Sequence, residues 1–257
     1  MSSSRDAEAR PFAFFALVFL ISIPFWIAGA MSGAFLLPGL PVSALGAFCP
    51  VLAAAFLFYR KSGWPGVTGL LARSFDWSRA NEWLLLAVLL PVVPLVATLV
   101  LRRATGAVLP PITLSPLAAV PMFAAFLVAA LGEELGWSGY ALDPLQARFG
   151  ALNAALVIGA VWAVWHYIPL LQAHRALDWM AWWTLATIAR RVIMVWLYNN
   201  AGRSVFAVAL FHATGNLVEL GALAWYDPRV SGLTLAAVAL ALVIFSGPRT
   251  LIRAPLG

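Results

Sequence analysis

Long apolar runs separated by short polar connections organise the whole chain. Eight such runs can be marked. They extend from Pro11 to about Pro38, Val42 to Tyr59, Glu82 to Val100, Ser115 to Gly136, Ala151 to Leu170, Trp179 to Tyr198, Ser204 to about Ala224, and Gly232 to Phe245. Several pass the roughly 18 apolar residues that a membrane-crossing helix needs. Alternation of period two is not the pattern, which argues against a β-barrel. The first run is too long for a signal-peptide core and reads as a retained helix. Pro91 and Pro94 predict a kink in the third, since each removes a backbone donor. Residues 61–81 form the longest polar connection, and Val67 to Phe75 reads there as a short amphipathic helix along the interface. Asp143 and Arg148 read as belonging to a loop after the fourth helix.

Composition strengthens this reading. Hydrophobic residues make up 63% of the chain and charged residues 10%, against about 25% charged in a soluble domain. The fold class is therefore all-α: a polytopic membrane protein of about eight transmembrane helices, with the lipid bilayer as its first partner. Residues 1–10 read as a short N-terminal segment and 11–257 as a single transmembrane domain. The net charge of +6 does not imply nucleic-acid binding, because most arginines flank apolar segments. Ten basic residues fall on the side of the termini and four on the other, which by the positive-inside rule puts both termini in the cytoplasm. Such a chain suits a prokaryotic inner membrane. The single Cys49 excludes an internal disulfide framework and a cysteine-based metal cluster.

Polar residues inside the apolar runs are the candidate chemistry. They are Glu133, Glu134, His166, Arg190, Arg191, His212, Asn216 and Glu219, all on the fourth to seventh helices. Ionised side chains near hydrocarbon cost roughly 2.5–3.5 kcal/mol each on insertion scales, so they usually face a polar cavity and carry function. Adjacent carboxylates also raise each other's cost of ionising. The plainer alternative for Glu133 and Glu134 is a solvated helix end. Trp162 and His166 are four apart and share a face, as do His212 and Asn216. The plainer alternatives are an interfacial aromatic belt for His166 and interhelical hydrogen bonding for His212. Ser138 and Ser204 read as loop or cap residues.

These groups fit hydrolysis. Glu133 with His166 can hold and deprotonate a water, and His212 with Asn216 can donate to the oxyanion formed when water attacks an amide. Glu133, His166 and His212 could equally hold zinc or another divalent metal, since histidine and carboxylate are catalytic zinc ligands. The zinc signature of two histidines four apart around a glutamate is absent. Arg190 and Arg191 diverge by about 100° on a helix. Arg191 is expected to meet Glu134 or Glu219 inside, and Arg190 to reach the interface.

Glu133-Glu134 followed by Gly136-Trp137 and Gly139-Tyr140, then Trp162 to His166, then His212 to Asn216, resembles the CPBP family of intramembrane endopeptidases. That family holds the type II CAAX prenyl proteases, bacteriocin-processing or immunity proteins, and the group once called Abi. The resemblance covers about Leu131 to Leu217, within a core of about 115–224. It implies an eight-helix fold with the site inside the bundle. It implies Glu133 as base, His166 as its partner on the water, His212 and Asn216 at the oxyanion, and Glu134 as a supporting acid, with Arg191 and Trp162 alongside. Its implied substrate is a membrane-associated peptide or lipidated protein, CAAX-type or bacteriocin-like. The family pattern has arginine where this chain has Ser138, and usually phenylalanine where it has Trp162. Arg191, or less readily Arg190, is the candidate to replace the arginine from the sixth helix. The rival expectations are an inactive binding, immunity or scaffold protein of the same fold, and a small transporter. No matching pair of broken helices in the two halves favours the latter.

Overall fold

A computed structural model describes residues 10–108, 114–221 and 226–253. The expected residues 1–9 of the N-terminal segment, the end of the seventh helix beyond Gly221, and residues 254–257 lie outside them. Ten α-helices are described: α1 (Pro11–Ser32), α2 (Cys49–Ala72), α3 (Trp83–Leu89), α4 (Val93–Ala104), α5 (Pro116–Gly136), α6 (Leu142–Phe149), α7 (Ala151–Gln172), α8 (Leu177–Asn200), α9 (Val205–Gly221) and α10 (Pro228–Ser246). Six helical stretches among the described residues are long and apolar enough to cross a membrane. The remaining rods are α8, 24 residues with Asp178, Arg190 and Arg191, and α9, 17 residues with His212 and Glu219. The protein is an all-α polytopic membrane protein, and the two helices poorest in membrane character carry much of its polar machinery.

Several boundaries differ from the apolar pattern, each for a backbone reason. The first helix ends at Ser32, not near Pro38. Gly33 takes a left-handed conformation (φ 58°) and caps it, as glycine does without steric cost. The chain then forms a two-stranded hairpin, β1 (Phe35–Leu37) with β2 (Leu40–Pro41). The second helix starts at Cys49 and runs past Tyr59 to Ala72, broken at Gly63 (φ 62°, ψ −155°). Its second limb covers Val67 to Ala72 of the expected Val67–Phe75 helix, with Val67 and Leu70 buried on one face, and residues 73–75 continue as a tighter turn. Pro91 lies in a tighter turn, Leu90–Val92, that separates α3 from α4. Pro94 sits in the first turn of α4, where its missing N–H is tolerated. Asp143 and Arg148 are in α6, not a loop.

Between α5 and α6 the helix widens into a π-turn, Trp137–Ala141. Such turns recur at functional sites. Arg73, just after α2, donates to the Gly139 carbonyl in that turn (2.8 Å), to Tyr198 Oη (2.7 Å) and to the Arg203 carbonyl (3.0 Å). Asp76 caps α9: its carboxylate accepts from Ser204 Oγ (2.8 Å), Val205 N (3.1 Å) and Phe206 N (3.0 Å). Ser204 also accepts from Ala207 N at 3.1 Å, a cap role as expected. The connection 73–79 thus fixes the start of α9 relative to the end of α5.

In the interior, α8 packs against α7 and α10, and α5 against α2 and α9. Small residues permit the closest approaches. A Cβ added at Gly136 would lie 2.6 Å from both Cβ and O of Pro50 on α2. A Cβ at Gly159 on α7 would lie 3.1 Å from Ile188 Cα and 3.2 Å from Arg191 Cβ on α8. Gly136→Ala should therefore lower stability by about 1–3 kcal/mol, the usual range for overpacking. Gly69→Ala, which meets nothing within 4 Å, should be neutral or stabilising by up to about 1 kcal/mol, the glycine-to-alanine helix preference. Thermal unfolding of the purified protein in detergent checks both.

Candidate active site

The centre of the site is Glu134, completely buried near the end of α5. Unpaired, its charge would carry a large desolvation cost. Arg191 of α8, 1% exposed, answers it with both ends of its guanidinium. Nη1 donates to Oε2 at 2.8 Å and Nη2 to Oε1 at 3.0 Å. This bidentate geometry is what the planar guanidinium provides and lysine does not. Ser138, one turn beyond Glu134 in the π-turn, donates Oγ–H to Oε2 at 2.5 Å. His212 of α9 places Nδ1 3.2 Å from Oε1. Helices α5, α8 and α9 are thus joined through one carboxylate.

Glu133 faces elsewhere. Trp162 of α7 donates Nε1–H to its Oε2 at 2.7 Å. Its other oxygen has no hydrogen-bond partner among the described residues, and the residue is 6% exposed. Glu133 is therefore held at one oxygen and free at the other. The Trp162 ring also lies under the Arg191 guanidinium, 4.4 Å from its centroid to the central carbon. Its edge meets the rings of His166 and His212 at centroid distances of 5.3 and 5.2 Å. Trp162 therefore touches or bonds four of the candidate residues.

His166 is half-buried among Trp162, Trp165 and Trp183. Its Nδ1 lies 2.8 Å from the Trp162 carbonyl. A carbonyl only accepts, so Nδ1 carries the proton and Nε2 is the basic nitrogen. Among the described residues no hydrogen bond joins His166 to Glu133 directly. Asn216, one turn past His212, is partly exposed, and its amide has no partner among the described residues.

Two features differ from the sequence expectation. Arg190 does not reach the interface. It is 6% exposed and forms an ion pair with Glu219 of α9. The reason is position: residue 190 falls well inside α8, far from either end, and α9 supplies an acid there. Ser138 is not a loop or cap residue but a donor to Glu134. Sequence reasoning also missed the indole donor of Trp162 to Glu133. The signal was the departure from phenylalanine, the one change at that motif position that adds an N–H.

Among the described residues, no three His, Cys, Asp or Glu side chains converge as metal ligands. His212 turns Nδ1 to Glu134 and His166 turns Nδ1 to the Trp162 carbonyl, so Nε2 is the remaining ring nitrogen of each.

Fold and site together define a polytopic membrane protein with a carboxylate–histidine–arginine cluster inside its helical bundle. Residues 115–218 match the family model described as type II CAAX prenyl endopeptidase Rce1-like. The chain is also 29% identical over 136 residues to CAAX prenyl protease 2 of Methanococcus maripaludis. That match covers 49% of this chain and 50% of the relative, so the chain spans about half the length of the curated relative it matches. Both matches fall on the segment that carries the three motifs, and there the chain is similar to the type II CAAX prenyl endopeptidases.

The Glu134–Arg191 pair generates a sharp expectation for stability. Arg191→Met leaves a buried carboxylate without its cation and should cost about 3–5 kcal/mol. Adding Glu134→Gln to Arg191→Met should recover part of that loss, because the stranded charge is gone. Unfolding of the wild type, the single variants and the double variant in detergent measures the coupling.

Proposed function

We propose that this protein is an intramembrane endopeptidase. It hydrolyses a peptide bond of a membrane-borne or lipid-anchored substrate near the substrate's C-terminus. The observation that carries the reading is the division of labour between adjacent carboxylates: Glu134 saturated by Arg191, Ser138 and His212, and Glu133 with a free oxygen beside them. The family match and the name of the archaeal relative agree with it.

In this reading Glu133 accepts a proton from a water held between its free oxygen and His166 Nε2. The resulting hydroxide adds to the scissile carbonyl carbon, and the carbonyl oxygen becomes an oxyanion. Asn216 donates its amide N–H to that oxygen. His212 donates from Nε2 when its ring carries both protons, since Nδ1–H is directed at Glu134. Collapse of the intermediate breaks the C–N bond, and the proton taken by Glu133 passes to the leaving amine. No step is routed through a metal. Preorganised donors of this kind are worth about 10²–10³ in kcat each.

Ser138 in place of the family arginine is the one observation that favours a second reading, a binding or immunity protein without turnover. Arg191, bonded to Glu134 and approaching Ser138 Oγ at 3.4 Å, supports catalysis instead. Both termini are proposed to be cytoplasmic, on the ten-against-four distribution of basic residues.

Glu133→Gln keeps the Trp162 contact and removes the base. Turnover should fall by about 10²–10⁴, the contribution of a general base, with unfolding unchanged. The check is a comparison of membrane peptides cleaved in cells carrying wild type or Glu133→Gln. Identical peptide profiles with undiminished biological effect would establish the non-catalytic reading.

A further inference from the structure

Neighbouring arginines on α8 take acids on different helices. Arg191 takes Glu134 on α5, and Arg190 takes Glu219 on α9. Glu219 lies three residues past Asn216 and seven past His212, so all three share one face of α9. That face is tied at two points: His212 to Glu134, and Glu219 to Arg190. Asn216 stands between the ties, its amide without a partner among the described residues. A helix held by two side chains a pair of turns apart cannot rotate about its axis without breaking one of them.

Helix α9 packs on α5 and α3, and beside Glu219 it also borders a small cavity. Phe211 and Gly215 line a cavity with room for about one water, together with Pro91, Pro94 and the Arg190–Glu219 pair. A Cβ added at Gly215 would meet only Pro91, at 3.8 Å. Along that border the polar ties at His212 and Glu219 add a restraint on rotation that packing there does not supply. A largely buried ion pair, with Glu219 partly exposed, is also costly to keep unless its geometry serves something.

We infer that the Arg190–Glu219 pair is a positioning device for the reaction: it fixes the rotation of α9 that aims His212 and Asn216 at the oxyanion. This rests on the peptidase reading above. Neither residue touches the reacting atoms, and both act through Asn216 and His212. Displacement of such groups by about 1 Å can cost on the order of 10² in rate.

The test has two arms and uses the full chain in lipid nanodiscs. Cys49 is the single cysteine, so Cys49→Ala with Asn216→Cys gives one reporter thiol on the aimed face. Its reaction rate with a water-soluble maleimide is measured with and without Glu219→Gln, and a change of at least about threefold is expected. In the chain that keeps Asn216, Glu219→Gln should lower kcat by about 10²-fold and leave KM within about threefold. The probe is an internally quenched peptide ending in a prenylated CAAX sequence. If Glu219→Gln does not fold, Arg190→Lys, which still offers Glu219 a cation but not a planar one, carries the same two readouts. An unchanged labelling rate, or a kcat within about threefold of wild type, in a folded variant overturns the inference. If the wild type cleaves no peptide, the peptidase reading falls, and the labelling arm alone judges the positioning role.

Discussion

A carboxylate with no exposed surface must be neutralised where it stands, and Glu134 is that carboxylate. Its pairing with Arg191 draws α5 and α8 together, and the His212 contact adds α9. Much of the surrounding structure can be understood as what this pairing requires. Gly159 lets the backbone of α8 approach α7 at the level of Arg191. The indole of Trp162 gives the guanidinium an aromatic face and spends its own N–H on Glu133. A single buried charge pair thereby separates two neighbouring glutamates into one that is saturated and one that is half free.

The departures from the family pattern make sense together. Serine at 138 cannot supply charge, but it is small and still donates to Glu134, leaving room for an arginine from another helix. Tryptophan at 162 is larger than phenylalanine and meets that arginine with its ring. The family pattern places a charge one turn from the glutamates; here the guanidinium bonded to Glu134 is Arg191 of α8. The π-turn that holds Ser138 is braced by Arg73, and the same short connection caps α9 through Asp76. Glu134 is thus paired with a guanidinium although residue 138 is serine.

The apolar runs made the membrane architecture legible, because about 20 consecutive apolar residues have few other uses. The motif residues were legible because polar groups at helical spacing stand out against hydrocarbon. What stayed hidden depends on backbone choices or distant partners. Gly33 and Gly63 break helices by taking positive φ, which an apolar pattern does not record. A π-turn differs from an α-turn by one residue per hydrogen bond, and Trp137 to Ala141 has no composition that marks it. Arg190 read as a snorkelling residue because its partner, Glu219, is on another helix. Trp162 read as a site residue sharing a face with His166, but its partner Glu133 is on another helix, so the commitment of its N–H was not legible.

The central claim is that Glu134 needs an arginine, whichever helix supplies it. The direct test is to move the cation. Arg191→Ser alone should give a protein that unfolds early in detergent and cleaves nothing. Combining Ser138→Arg with Arg191→Ser returns the guanidinium to the family position, and stability and peptide cleavage should both recover well above the single variant. If the combined variant is no better than Arg191→Ser, or if Arg191→Ser behaves as wild type, the Glu134–Arg191 pair does not organise this site.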